Sequence, residues 1–467
     1  MKTVRTILAG LVLGATLHAQ KKDAPEGKPP DPFAPAHKAF GWNSKNGLRF
    51  VWWLPKDYDP KTPRNLTVIL HGTGLDYRWG YWNNKPGIFR PHDVVVSVDG
   101  PTPDGESRLF LGEPKDAKAV REFLREMRER FAIDRVFLYG HSQGGFFTVY
   151  FAGEYPDEVA GVVAHASGAW NWSKMGKGVH KVAIAFLHGT LDPVVPYRQS
   201  PGSRDAYAKA DFPLLHLRRL SRYNHWPNAV RATETLDWCQ GMTASDPGEA
   251  YACALRILAP KPSDEYQWKT AVGFSAAADV LRRLIGAGPA PLAGVPEDVA
   301  AAARERLAEI DAAGAEHVAA LAKALPPKKP AASLAPGPWL GHLVPLREDF
   351  RGVASVETYV AALGYDDLAE AHAKAARRIL DDWYAEKEPA EVYESIVETL
   401  PRAFLYEGLP PELAEKMNEW KRGARDLGIS AKLAKKHAAF EAWSEAWKDG
   451  LASYESVWKK WKGPKGR

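Results

Sequence analysis

Residues 135–145, Arg-Val-Phe-Leu-Tyr-Gly-His-Ser-Gln-Gly-Gly, constrain this chain more than any other stretch. Val136, Phe137, Leu138 and Tyr139 are the β-branched, aliphatic and aromatic types of a buried parallel strand. Phe146, Phe147, Val149, Tyr150 and Phe151 then continue without a breaker until Gly153 and Pro156, as a buried helix would. Between the two runs stands Gly140-His141-Ser142-Gln143-Gly144. A serine at such a junction sits in a strained turn that tolerates only glycine two positions before and after it, and its hydroxyl is pushed clear of the fold.

A strand, a tight turn and a helix in this order are one unit of an open, mostly parallel sheet covered by helices on both faces. Seven strand candidates can be counted from Arg49 to Leu220, and Val120, Phe123, Leu124, Met127 and Phe131 mark one covering amphipathic helix. Beyond about residue 262 the strand-like runs stop and alanine, glutamate and lysine dominate, so the remainder is expected to be helical. The expected organisation is a leader over 1–19, a Lys- and Pro-rich tether over 20–37, an α/β unit over 38–262 and an all-α region over 263–467. Within the last region Glu297 to Leu325 reads as one long helix, Pro326 to Pro338 as a linker, and residues 343–461 as about five more helices.

An alcohol at neutral pH is a weak nucleophile, so Ser142 needs a base within hydrogen-bond reach, and the base needs a carboxylate to fix its tautomer. In a sheet of this kind the acid precedes the histidine, and both lie on loops at the carboxyl ends of strands. Val182 to Leu187 reads as a strand running into His188-Gly-Thr-Leu-Asp192-Pro, and Leu214 to Leu220 as the next, followed by Ser-Arg-Tyr-Asn-His225-Trp-Pro. Asp192 and His225 are therefore the expected acid and base. His71 and His188 each precede a glycine at a strand end, His141 is expected to point away from the nucleophile, and His165 lies in a strand as a structural residue. The oxyanion of an acyl-transfer intermediate needs two backbone N–H donors, each worth roughly 3 kcal/mol of transition-state stabilisation. Gln143 supplies one. Leu66 to Leu70 leads into His71-Gly72-Thr73-Gly74, where Thr73 is the expected second donor and Gly74 the substitute.

These motif words resemble the phospholipase/carboxylesterase family of α/β-hydrolases, which includes acyl-protein thioesterases. The resemblance rests on Leu70-His-Gly-Thr-Gly74, Gly140-His-Ser-Gln-Gly-Gly145, Val159-Ala-Gly-Val-Val163 and His188-Gly-Thr-Leu-Asp-Pro-Val-Val-Pro196, spread over about residues 64 to 230. It implies an α/β-hydrolase fold, a triad of Ser142, Asp192 and His225, and an oxyanion hole from Thr73 and Gln143. Secreted feruloyl and polyhydroxyalkanoate esterases show similar words. The chain departs from the family before the histidine, where Asn224 stands in place of the usual glycine and the bulky Trp226 follows. Asp76 to Trp82 and Trp170-Asn-Trp172 add aromatics near the expected cleft.

Met1 to Ala19 has Lys2 and Arg5 followed by an apolar run from Ile7 to Leu17, the pattern of an export signal, although Leu17 is larger than a cleavage site prefers. Secretion or a periplasmic location is expected, and no stable membrane span. The net charge of +5 falls to +3 without Lys2 and Arg5, too little to argue for nucleic acid. No metal-ligand or cofactor motif is present, so the expected chemistry uses none. The two cysteines, Cys239 and Cys253, stand on two short helices around Asp246-Pro-Gly248, where an exported chain can pair them or bury them as thiols. Phe440, Trp443, Trp447, Leu451, Tyr454, Trp458 and Trp461 form a stripe at helical spacing, either core packing or a face for a protein or glycan. The expected activity is cleavage of a small-molecule or polymer-linked carboxylic ester through an acyl-enzyme. A peptidase or acyltransferase on the same fold, and a non-catalytic envelope binding protein using the helical region, are the alternatives.

Overall fold

A computed structural model describes residues 39–84, 89–170, 181–190, 192, 194–195, 197, 199–220, 223–259, 273–324, 343 and 346–363. The expected leader, tether, Pro326–Pro338 linker, aromatic stripe near the carboxyl end and most of the late helices lie outside these residues. Strands β1 (Ala39–Asn43), β2 (Arg49–Trp53), β3 (Arg64–Leu70), β4 (Val94–Val98), β7 (Ile133–His141), β8 (Gly161–His165), β9 (Ala183–Gly189) and β10 (Leu215–Leu220) form one sheet in the order β1-β2-β4-β3-β7-β8-β9-β10. β5 (Thr102–Asp104) and β6 (Ser107–Leu109) make a separate hairpin. β1, β2 and β4 pair antiparallel, and every neighbour from β4 to β10 is parallel. All carboxyl ends of these six parallel strands therefore emerge on one edge.

Period-two alternation divides the strands between two cores. Val136, Leu138, Val162 and Ile184 face one side, where they pack with Phe123 and Met127 of α2 (Pro114–Arg130), Phe147 and Phe151 of α3 (Gln143–Glu154) and Tyr207 of α4 (Gln199–Lys209). Phe137, Tyr139, Val163 and Ala185 face the other, against Trp79 of α1 (Tyr77–Asn83) and Leu236 of α5 (Ala229–Thr243). Each large apolar side chain so buried stabilises the fold by roughly 1.5–3 kcal/mol relative to exposure.

The second core does not stop at residue 262. It continues through α6 (Pro247–Leu258), α7 (Phe274–Leu284), α8 (Glu297–Ala324) and α9 (Ala354–Ala362), with Phe274, Ile310, Phe350 and Val356 in the same cluster as Phe137. Phe274 and Phe350 stack at 4.5 Å. Polar contacts reinforce the join, since Arg218 of β10 lies 3.5 Å from Asp349. Alanine-rich composition correctly announces helices here, and the structure adds that they share a core with the sheet. Cys239 and Cys253 are both free and buried. Among the described residues no helix is long and apolar enough to cross a membrane.

Candidate active site

β7 ends at His141 and α3 starts at Gln143, which leaves Ser142 alone in the turn with φ 53° and ψ −119°. A non-glycine residue held there costs on the order of 1–3 kcal/mol, and such strain persists only where the surroundings enforce it. Three contacts enforce it. Ser142 N donates to the carbonyl of His165 at 2.9 Å, its own carbonyl accepts from Phe146 N at 3.1 Å, and the flanking glycines are packed shut. A Cβ at Gly140 would collide with the carbonyl of Gly144, and one at Gly144 would collide with the carbonyl of Leu70. The Gln143 amide opens α3, in the first turn whose N–H groups have no intrahelical acceptor. Thr73 lies in the turn after β3, next to Gly72, whose Cβ position is 3.2 Å from the Cβ of Ser142.

Asp192 and His225 lie past the ends of β9 and β10. His225 Nδ1 donates to Asp192 Oδ2 at 2.7 Å, while Asp192 Oδ1 accepts the amides of Val194 and Val195 at 2.8 and 2.9 Å. The Asp192 side chain is fully buried and that of His225 is 16% exposed. Burial pushes the Asp192 carboxyl up, but the bonds from His188 and His225 outweigh it and hold the group well below the usual carboxylate range. The ionised form of Asp192 is thus favoured, and its bond keeps the proton of His225 on Nδ1, with Nε2 left as the acceptor. Among the described residues no hydrogen bond joins the Ser142 hydroxyl to His225. Such a bond is often long in an unliganded site and tightens when substrate binds.

Three further imidazoles surround this pair, and their supporting contacts were not legible in the sequence. His188 is fully buried, with Nε2 at 3.1 Å from Asp192 Oδ2 and 2.9 Å from the carbonyl of Val195, and Nδ1 at 2.7 Å from Ser200 Oγ. Both Nε2 neighbours are pure acceptors, so that atom carries the proton. His165 sits in β8 with Nδ1 at 2.7 Å from the hydroxyl of Tyr139, the structural position expected of it. The His141 ring lies 4.8 Å from the ring of His225, with Nε2 at 2.6 Å from the His225 carbonyl. Spacing in the chain gives no hint of this, because the two residues are 84 positions apart. His71 supports the loop after β3: its Nδ1 lies 2.8 Å from the carbonyl of Gly72, and its Nε2 accepts from Gly100 N at 3.2 Å.

Val194 and Trp226, each within two residues of a member of the Asp192–His225 pair, are 56% and 45% exposed. Phe146, one turn into α3 from Ser142, stacks on Trp170 at 5.1 Å with an interplanar angle of 8°.

A strained serine at a strand-to-helix turn on a mostly parallel sheet, with an acid and a histidine past later strands of the same edge, defines an α/β-hydrolase fold. Residues 114–211 match the family model of the phospholipases and carboxylesterases, a stretch of about a fifth of the chain that contains Ser142 and Asp192. No curated protein matches the chain. Among solved structures it is similar to a thermostable esterase, with 21% identity and a TM-score of 0.34 over 43% of this chain and 61% of that one. A Bacillus cereus carboxylesterase aligns at 18% identity and TM-score 0.34 over 42% of this chain and 94% of its own. A ferulic acid esterase from Anaeromyces mucronatus aligns at 16% identity and TM-score 0.34 over 46% and 92%.

Proposed function

We propose that this protein is an exported serine hydrolase that cleaves carboxylic esters, with Ser142 as nucleophile, His225 as base and Asp192 as its orienting acid. The observation that carries the reading is the 2.7 Å bond from a partly exposed His225 to a buried, ionised Asp192, on the sheet edge where Ser142 is held at positive φ. In acylation the Ser142 oxygen attacks the ester carbonyl carbon while its proton passes to His225 Nε2. The amides of Gln143 and Thr73 receive the negative charge that forms on the carbonyl oxygen. The tetrahedral intermediate collapses, the C–O bond to the alcohol breaks, and the alcohol leaves with the proton held by His225. Water then gives its proton to the same imidazole and its oxygen to the acyl carbon, which releases the acid and restores Ser142. Asp192 stays ionised throughout and stabilises the imidazolium. The exposed Val194 and Trp226 beside the reacting groups support esters with an apolar or ring-containing part. Export rests on the basic and then apolar pattern of residues 1–19.

The test is labelling by a fluorophosphonate probe together with hydrolysis of nitrophenyl esters of increasing chain length and of methyl ferulate. Wild-type protein is expected to label at Ser142, and Ser142→Ala to lose on the order of 10⁶ in turnover with its thermal transition intact. Turnover that survives Ser142→Ala would remove the serine from the mechanism.

A further inference from the structure

The residue before the nucleophile makes contacts that a core histidine does not need. His141 is 3% exposed, and its ring is clamped between Trp79, stacked at 4.9 Å and 29°, and His165, edge-on at 5.4 Å. Its Nε2 lies 2.6 Å from the backbone carbonyl of His225. A carbonyl only accepts, so Nε2 carries the proton. Its Nδ1 has no hydrogen-bond partner and lies 3.4 Å from the Cβ position of Gly72, in the loop that leads to Thr73. Burial, with the neighbouring His225 adding to it, pulls His141 down to about 3, so it stays a neutral donor through the working range of an esterase.

These contacts place one rigid ring against all three loops of the proposed site: the turn that carries Ser142, the loop that carries His225 and the loop after β3. Asp192 fixes the ring of His225 from its Nδ1 side, which leaves its distance from Ser142 to be set by the backbone of its own loop. The His141 bond ties that backbone to the turn that carries Ser142. We propose that His141 is a positioning residue, which sets the reach of His225 to the Ser142 hydroxyl by holding the His225 carbonyl. The proposal rests on the triad reading above and goes beyond it by assigning the residue that spans the gap between nucleophile and base.

The test compares His141→Gln with His141→Met. Gln places an amide N–H donor the same number of bonds from Cα as the imidazole Nε2, and Met has similar length and no donor. His141→Met is expected to lower kcat on the order of 100-fold, as a base displaced by about 1 Å would, with KM within about twofold and fluorophosphonate labelling of Ser142 slowed in parallel. His141→Gln is expected to recover most of that loss. Thermal unfolding is followed for each, and if the Met variant does not fold, His141→Asn, one methylene too short to reach the carbonyl, takes its place. A folded Met or Asn variant, neither able to bond the carbonyl, as fast as wild type, or a Gln variant as slow as that one, would overturn the proposal. Ser142→Ala is run alongside. If it is inactive while Gln and Met behave alike, the positioning role fails alone, and if it retains turnover, the triad reading fails and this inference with it.

Discussion

Gly189 offers a way to move the proposed base, His225, without touching it. The residue closes β9, three positions before Asp192, and β10 runs parallel beside it into the loop of His225. A Cβ at position 189 would overlap the carbonyl of Tyr223 and stand 2.5 Å from that of Asn224, where ordinary contacts begin at 3.4 Å. Relief requires the segment just before His225 to retreat by roughly 1 Å, and a misplacement of that size costs on the order of 100-fold in rate, about 2.7 kcal/mol of transition-state stabilisation. Gly189→Ala is therefore expected to lower kcat and kcat/KM together by about that factor and to leave KM nearly unchanged, the signature of a contact needed only in the transition state. Overpacking of this kind also costs about 1–3 kcal/mol of stability, so thermal unfolding is measured beside the kinetics on a nitrophenyl ester. Gly202→Ala is the control, because a Cβ there meets nothing within 4 Å, and turnover should not change. A folded Gly189→Ala enzyme with wild-type kcat would show that the separation of these two loops does not set the rate.

Acid should weaken the fold before it strips the charge from Asp192. His141 and His216 are held at about 3 by burial, whereas an unfolded imidazole titrates near 6.5. Below pH 6.5 the unfolded chain binds protons that the folded chain refuses, so stability falls as pH falls, by about 2 kcal/mol for each of the two between pH 7 and pH 5. Asp279, raised by burial to about 6, gives back about 1 kcal/mol over the same interval. His165, also shifted down by burial, adds to the loss. Unfolding free energies from urea titrations at the two pH values should differ by at least the net of about 3 kcal/mol, and equal values would contradict the burial of these rings. The thiols give a separate check. Cys239 and Cys253 are buried and unpaired, and burial pushes Cys253 up to about 12. A thiol reagent should find none in the native protein and both in denaturant; none in denaturant would mean a disulfide.

What the sequence made legible follows from local rules. The alternation of Val136 and Leu138 with Phe137 and Tyr139 announces a strand buried on both faces, and the structure sends the two sets into separate cores. Gly140 is readable because a Cβ there strikes the carbonyl of Gly144 within the same turn, whereas what closes Gly144 is the carbonyl of Leu70 on a neighbouring strand. Long-range facts were hidden. Residues after 273 read as helices from composition, but composition does not say which surface covers them, and Phe350 meets Phe274 across 76 positions of chain. Imidazoles are the hardest case, since the role of a histidine is set by which acceptors its two nitrogens meet, and at this site those acceptors come from other loops.

In the proposed triad, the hydrogen-bond partners of the four imidazoles near Asp192 favour His225 as the base. His188 spends its Nε2 proton on Asp192 and the Val195 carbonyl, and His165 spends its Nδ1 on Tyr139. His141 spends its Nε2 proton on the backbone of His225. These three are buried, and burial holds His141 and His165 neutral. His225 alone of the four combines a carboxylate on Nδ1 with a side chain that reaches solvent, 16% exposed. Asp192 Oδ2 meets both the His188 and the His225 imidazoles while its Oδ1 accepts the Val194 and Val195 amides, so these partners from three sides hold the carboxylate where the His225 ring finds it.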